Sequence, residues 1–417
     1  MPMPEFVKLR RGRQLPMRNK RFKVSTMARA RTNDCFDIAV IGGGATGYAA
    51  ALSAARSGFA TALFAPPVHI PPGRTAALFH GSIAMLEHFG VWPQLAGNAA
   101  PLVSIRLVDA TARLIRAPEV TFHASEIGLP VFGYNIANAD LVAAFEEQAA
   151  RQERLTILAD PVTAIEPQPD DVQLAFGKRR KTSARLVIGA DGGRSKARQA
   201  AGIATRDWNY AQAALVTTLT IEYPHEDIST EFHTETGPFT LVPLPGRRVS
   251  LVWVDRPEIA AAAAKSTESD FNAEVECKAR SLLGAMSLDS ERAVFALRAM
   301  LAERFAANRI MLVGEAAHVF PPIGAQGLNL GFRDIEALDR ILPRYRDDPG
   351  EVPALEAYHR ARQADIRSRT YAVDLLNRSL LTGFLPFQAV RGVALALAGS
   401  LPPLRRVLMR QGLAARS

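Results

Sequence analysis

Residues 312–334 read L-V-G-E-A-A-H-V-F-P-P-I-G-A-Q-G-L-N-L-G-F-R-D and hold the densest chemistry of the chain. An apolar strand ends at Gly314 and an acid, Glu315; a loop then runs from Pro321 to Gly327, where a helix carrying Leu328 and Asn329 begins. Small residues at a strand end, followed by a helix N-terminus, let the backbone approach an anionic or polarisable ligand closely. A second motif, Gly42-x-Gly44-x-x-Gly47, with Ala45 and Thr46 before its last glycine, follows the apolar run 36–41 and opens the Ala-rich segment 48–57. In that context glycines permit a tight turn, close approach to a pyrophosphate and close helix–strand packing.

One part of the dinucleotide pattern is missing. An acid about twenty residues on would bind a ribose 2′-hydroxyl. No acid stands between Asp37 and Glu87, so the ribose must be held otherwise. Arg74, after the Pro-rich bend at 66–72, is a candidate to reach phosphate or ribose, against the alternative of a surface arginine. A third segment, A-R-L-V-I-G-A-D-G-G-R-S-K-A-R at 184–198, places Asp191 after a buried strand and ends on Arg198. His318 is the weak candidate for an acid or base, the alternative being a hydrogen-bonded element of its loop. The other histidines have no metal-ligand spacing, and Cys35 and Cys277 fit inert thiols in a reducing compartment.

The elements that must position these residues are legible in outline. Residues 36–41, 48–57 and 59–64 form a strand–helix–strand unit with Gly58 as the helix stop. Helices are expected at 84–89, 138–151 and 270–285, and from Asp334 onward. Strands are expected within 102–123 and at 186–190 and 309–313, with antiparallel strands at 213–223 and 239–254 turning at Pro245-Gly246. The fold class is therefore α/β: a Rossmann-like nucleotide-binding sheet built from non-contiguous pieces, with an antiparallel substrate sheet inserted. The expected division is a disordered basic arm at 1–33 and nucleotide-binding pieces at 34–100, 136–205 and 301–345. Substrate-sheet pieces at 101–135 and 206–300 and C-terminal helices at 346–417 complete it.

Charge is unevenly spread. Residues 1–33 hold ten Lys and Arg and one acid; removing them from 50 basic and 41 acidic residues leaves 40 of each. The body is neutral, so no nucleic-acid-binding face is read. The arm fits a disordered extension or a start placed upstream of Met17 or Met27, a targeting peptide, or a polybasic anchor. No run of 18 apolar residues occurs. After Asp374 there is no acid, and Arg378, Arg391, Arg405, Arg406, Arg410 and Arg416 alternate with apolar stretches. Such a segment can lie on an anionic bilayer; a helical pair closing the fold, or an oligomer interface, is the alternative.

The three motifs, in this order, resemble the flavoprotein aromatic hydroxylases related to p-hydroxybenzoate hydroxylase. The wording of 314–334 looks most like the ubiquinone-biosynthesis hydroxylases of the UbiH/UbiF type, with resemblance over about 35–375. The resemblance implies FAD as cofactor, NADPH or NADH as reductant, O2 as co-substrate, and ring hydroxylation of a polyprenylated phenol. It implies cofactor contacts from the Gly42 motif, from Asp191 near flavin and nicotinamide, and from Glu315, where the family has an aspartate on the ribityl chain. The loop from Pro321 to Gly327, with Leu328 and Asn329, would lie along the flavin ring. It also implies a cytoplasmic protein, peripheral on the inner face of a bacterial membrane, with a ubiquinone-biosynthesis complex or a homo-oligomer as the expected assembly. Alternatives are hydroxylation of a small aromatic, a halogenase or prenyl reductase, or a non-catalytic FAD-binding subunit. The halogenase W-x-W-x-I-P segment is absent; the chain has S-L-V-W-V-D instead.

Overall fold

This computed structural model describes residues 35–67, 70–71, 73–112, 118–321, 326–381 and 406. The expectations for the basic arm, and for most of the C-terminal basic segment, lie outside the described residues.

β1 (Cys35–Ile41), α1 (Ala45–Arg56) and β2 (Thr61–Phe64) form the first strand–helix–strand unit. β3 (Thr75–Phe79) leads to α2 (His80–His88) and α3 (Trp92–Leu95). β4 (Ala100–Leu102), β5 (Ser104–Asp109), β6 (Val120–His123) and β7 (Gly133–Ala137) precede α4 (Asn138–Ala149). β8 (Leu155–Leu158), β9 (Val162–Pro167), β10 (Val172–Phe176) and β11 (Arg180–Gly189) run to α5 (Lys196–Ala200). β12 (Thr205–Ile221), β13 (Ile228–His233), β14 (Pro238–Leu244) and β15 (Arg248–Asp255) precede α6 (Pro257–Lys265) and α7 (Glu268–Lys278). β16 (Met286–Leu288), β17 (Ala293–Ala302), β18 (Ala306–Ala307), β19 (Ile310–Leu312) and β20 (His318–Val319) lead to α8 (Gln326–Ile341) and α9 (Val352–Leu381).

The first sheet has the order β18-β19-β11-β1-β2-β8, with β10 and β9 branching from β11. From β19 to β8 all pairings are parallel. Strands buried on both faces read as continuous apolar runs, as I-A-V-I does at the end of β1. From β1 the chain builds outward first through β2 and β8, then on the other side through β11 and β19. The order therefore reverses between β1 and β11, and ligands bind at the carboxyl ends of strands at such a switch point. α1 packs on this sheet with ten of its residues buried, small enough at Ala49, Ala50 and Ala51 to sit close.

The second sheet is largely antiparallel, in the order β20-β17-β12-β15-β14-β13-β5-β6, with β16 on β12. Its own core, from Leu215, Phe239, Leu251 and Trp253 to Phe271 and Val275, lies under α6 and α7. The β14–β15 hairpin turns where expected, with Gly246 at φ +78°. A small sheet, β3-β7-β4, lies between.

Several expectations are corrected. The helix expected over 270–285 ends at Lys278, because Arg280 and Ser281 take φ +55° and +51° and turn the chain toward β16. Helix α2 starts at His80, earlier than the expected 84–89, whereas α8 starts at Gln326, within one residue of the expected Gly327. Within 102–123 the strands divide between sheets: β4 pairs with β7, and β5 pairs with β13 and β6.

Candidate functional site

The ends of β1, β11 and β19 bring the three sequence motifs together. At the Gly42 turn, φ is +133°, and a Cβ there would stand 2.2 Å from the Ala190 carbonyl oxygen and 3.2 Å from the Asp191 nitrogen. A Cβ on Gly47 would lie 2.0 Å from the Gly42 carbonyl oxygen, whereas one on Gly44 would meet nothing within 4 Å. The glycines thus divide three tasks: Gly42 turns the chain, Gly47 lets α1 pack close, and Gly44 keeps a face open. Ala45 and Thr46 begin α1, whose N-terminus has no side-chain cap. Its first-turn amides are the donors that a pyrophosphate uses.

Two residues after β19 stands Gly314, held at φ +58°, where a Cβ would stand 3.2 Å from the Thr46 side chain. On α8, a Cβ at Gly331 would lie 3.0 Å from Thr46 Oγ1. Thr46 therefore packs against two glycines far along the chain, joining the first motif to the last. Asp191 lies beside the Gly42 turn. Its Oδ2 accepts from the amides of Lys196 at 2.7 Å and Ala197 at 3.1 Å, capping α5. Its Oδ1 is buried with no partner. A buried carboxylate oxygen left open needs a donor that the protein does not supply. The open face at Gly44, the uncapped amides and this oxygen fit a bound dinucleotide.

Arg198 ties the second motif to the third. Its Nη1 donates to the Ala316 carbonyl and its Nη2 to the Gly193 carbonyl, both at 2.8 Å. Burial lowers this guanidinium from its ordinary value, and Asp191 and Asp207 oppose that shift.

Glu315 is exposed beside buried Gly314 and Ala316, so its carboxylate is free to reach a ligand. Pro321 is buried, while the rest of the loop up to Ala325 lies outside the described residues. Gly327 is exposed at the start of α8, and Leu328 packs against the main core.

Asn329 and Arg74 have partners of their own within the fold. Asn329 is 8% exposed. Its Oδ1 accepts from the Phe79 amide at 2.9 Å and Ser82 Oγ at 2.7 Å, and its Nδ2 donates to the Ala77 carbonyl at 2.8 Å. Its side chain clamps β3 and α2 to α8. Arg74 is exposed, its guanidinium 5.2 Å from the Phe295 ring centroid on β17. It is thereby drawn to the antiparallel sheet.

His318 is 2% exposed, and its Nε2 lies 2.8 Å from Asp334 Oδ2. The same oxygen accepts from the Gly314 amide at 2.8 Å, and Oδ1 accepts from Arg362 Nε at 2.7 Å. Burial pushes the Asp334 carboxyl up, but the charges of His318 and Arg362 outweigh it and hold the group below its ordinary value. Asp334 was legible only as the end of the motif. The missed signal is spacing: it shares the buried face of α8 with Leu330, Leu338 and Ile341, where an acid must be paired. Among the described residues, no cluster of His, Cys, Asp or Glu could hold a metal ion.

Comparison with known proteins agrees with this geometry. Residues 35–370 match the FAD binding domain family. The chain is 30% identical over 387 residues to ubiquinone hydroxylase UbiL of Rhodospirillum rubrum, covering 90% of this chain and 89% of the relative. It is also 30% identical over 393 residues to 3-demethoxyubiquinol 3-hydroxylase of Escherichia coli, covering 92% and 99%. Among solved structures, p-nitrophenol 4-monooxygenase PnpA of Pseudomonas putida shares the fold at TM-score 0.76 and 18% identity, covering 92% of this chain and 100% of that one. The chain belongs to the FAD-dependent monooxygenase family that includes the ubiquinone hydroxylases.

Proposed function

We propose that this enzyme uses NADPH or NADH and O2 to hydroxylate the aromatic ring of a polyprenylated phenol in ubiquinone biosynthesis. The observation that carries the reading is the meeting of Gly42, Asp191 and Gly314 at one switch point, in a chain matching two ubiquinone-pathway hydroxylases over nearly their whole lengths. Bound FAD would supply the redox chemistry, taking a hydride from the nicotinamide and activating O2 toward an electron-rich ring.

The chain's own part is to hold and orient. The amides of Ala45, Thr46 and Gly47 would face the pyrophosphate, and Asp191 Oδ1 and Glu315 would accept from cofactor hydroxyls. β20 follows the Glu315 turn directly and pairs with β17, Leu301 against His318 and Met300 against Val319. The cofactor turn and the antiparallel sheet are thus one continuous piece, and the phenol would lie between them. His318 is buried with its Nε2 held by Asp334, so ring activation is not assigned to it.

Purified enzyme should oxidise NADPH or NADH faster when a polyprenylated phenol is added, and yield a product one oxygen heavier. FAD that the nicotinamide never reduces would instead indicate a non-catalytic subunit.

We further propose that the enzyme works peripherally on the inner face of the cytoplasmic membrane, alone or in a biosynthetic complex. No helix of the described residues is long and apolar enough to cross a membrane. The Arg-rich, acid-free segment after Asp374 supports surface contact. Anionic liposomes at low salt should retain the full chain and release one lacking residues 376–417; equal retention would remove the segment's role.

A further inference from the structure

We propose that Asp334 is a positioning residue that fixes the cofactor-facing turn 314–318 by holding both of its ends with one carboxylate oxygen. The inference rests on the FAD-dependent reading and deepens it.

Oδ2 lies 2.8 Å from the Gly314 nitrogen and 2.8 Å from His318 Nε2. Between these two anchors stands Glu315, the exposed acid of the turn. The turn is closed further by the Ala317 amide, which donates to the Gly314 carbonyl at 2.9 Å, and by Arg198 on the Ala316 carbonyl. Gly314 sets the turn against Thr46 of α1, while His318 begins β20 at the edge of the antiparallel sheet. One oxygen therefore fixes the cofactor turn relative to both sheets.

The other oxygen ties this centre to α9. Arg362, 3% exposed, donates its Nε to Oδ1, and its Nη1 donates to Asp365 at 2.9 Å. Asp365 also accepts from Arg333 of α8 at 2.7 Å. Tyr358, on the same helix, donates its hydroxyl to the Leu312 carbonyl at 2.9 Å, just before the turn. A fully buried carboxylate costs several kcal/mol of desolvation by general estimate unless paired. Its partners here all lie on the cofactor turn or on the helix that backs it.

The experiment measures how fast each holoenzyme loses FAD on dilution, followed by the recovery of flavin fluorescence, with flavin visible circular dichroism as a second readout. Asp334→Ala should release FAD about tenfold faster, the order expected for losing charge-assisted hydrogen bonds. Because that variant leaves the buried Arg362 Nε without its acceptor and can fail to fold, a His318 pair carries the decision as well. His318→Leu should also release FAD about tenfold faster with an altered flavin spectrum, whereas His318→Gln, which keeps a donor for Oδ2, should stay within about threefold of the parent. A folded Asp334→Ala that keeps the parent rate, or His318→Gln losing FAD as fast as His318→Leu, overturns the proposal. No substrate is present, so an enzyme that binds FAD but never hydroxylates the phenol contradicts only the substrate reading.

Discussion

The Arg198 guanidinium donates to the Ala316 carbonyl across 2.8 Å, joining two motifs that lie 118 residues apart in the chain. Arg198 is buried, and its second nitrogen holds the Gly193 carbonyl. Arg198→Met should therefore loosen both the Asp191 loop and the Glu315 turn. The expected cost is roughly 2–3 kcal/mol of stability, from two buried carbonyls left without a donor. Thermal unfolding of the FAD-free protein measures it, and an unchanged midpoint would show the link to be idle.

The glycines of the first motif should separate by role. Gly44→Ala adds a methyl group where nothing lies within 4 Å, so the FAD-free protein should keep its stability within about 0.5 kcal/mol. FAD affinity should fall, because that face is the one left open. Gly47→Ala would drive a methyl onto the Gly42 carbonyl oxygen and should destabilise the protein even without cofactor. Parallel unfolding and FAD-binding curves distinguish the two cases.

Gly314→Ala meets two penalties at once, a φ of +58° and Thr46 atoms 3.2 Å away. The expected loss is about 1–2 kcal/mol. Adding Thr46→Ala makes room without relieving φ, so the double variant should recover only part of it. Full recovery would mean that crowding alone demands glycine there.

Glu315→Ala should weaken FAD retention, since Glu315 is the exposed acid on a turn held at both ends. An affinity equal to the parent's would show that the ribityl contact lies elsewhere.

Asp339 gives a pH prediction. Burial raises this carboxyl above its ordinary value, against the hydrogen bond from Ser53 and the charges of His88 and Arg56. A folded pKa above the unfolded one means that stability is greatest below the unfolded value and falls as pH rises through the folded one. Asp339→Asn keeps an acceptor for Ser53 and removes the charge. It should be more stable than the parent at pH 7 and lose that advantage below about pH 3, where the parent is protonated in both states. Unfolding midpoints at the two pH values test the sign.

The sequence made the first sheet legible because its strands are buried on both faces and its turns need glycine. Gly42, Gly47 and Gly314 mark where a side chain cannot stand, and those constraints survive without knowledge of the partner atoms. The V-Q-L-A-F alternation of β10 was equally readable, yet β9 and β10 escaped because their hairpin is partly exposed and their pairing is settled by β11. Arg74 and Asn329 were harder. Their residue types suit a phosphate or a flavin, but what they touch is decided by Phe295, Phe79 and Ser82, brought close only by folding. Asp334 shows the converse: its importance comes from three partners on two segments, the turn 314–318 and α9, and spacing alone reveals just that an acid faces the core.

The central claim is that this enzyme adds a hydroxyl to the ring of a polyprenylated phenol on the way to ubiquinone. Its most direct test is mass spectrometry of the quinone pool after deletion of the gene. The account predicts accumulation of a prenylated ring intermediate lacking one hydroxylation, restored by the intact gene and not by one carrying Gly42→Trp. An unaltered quinone pool in the deletion strain would contradict it.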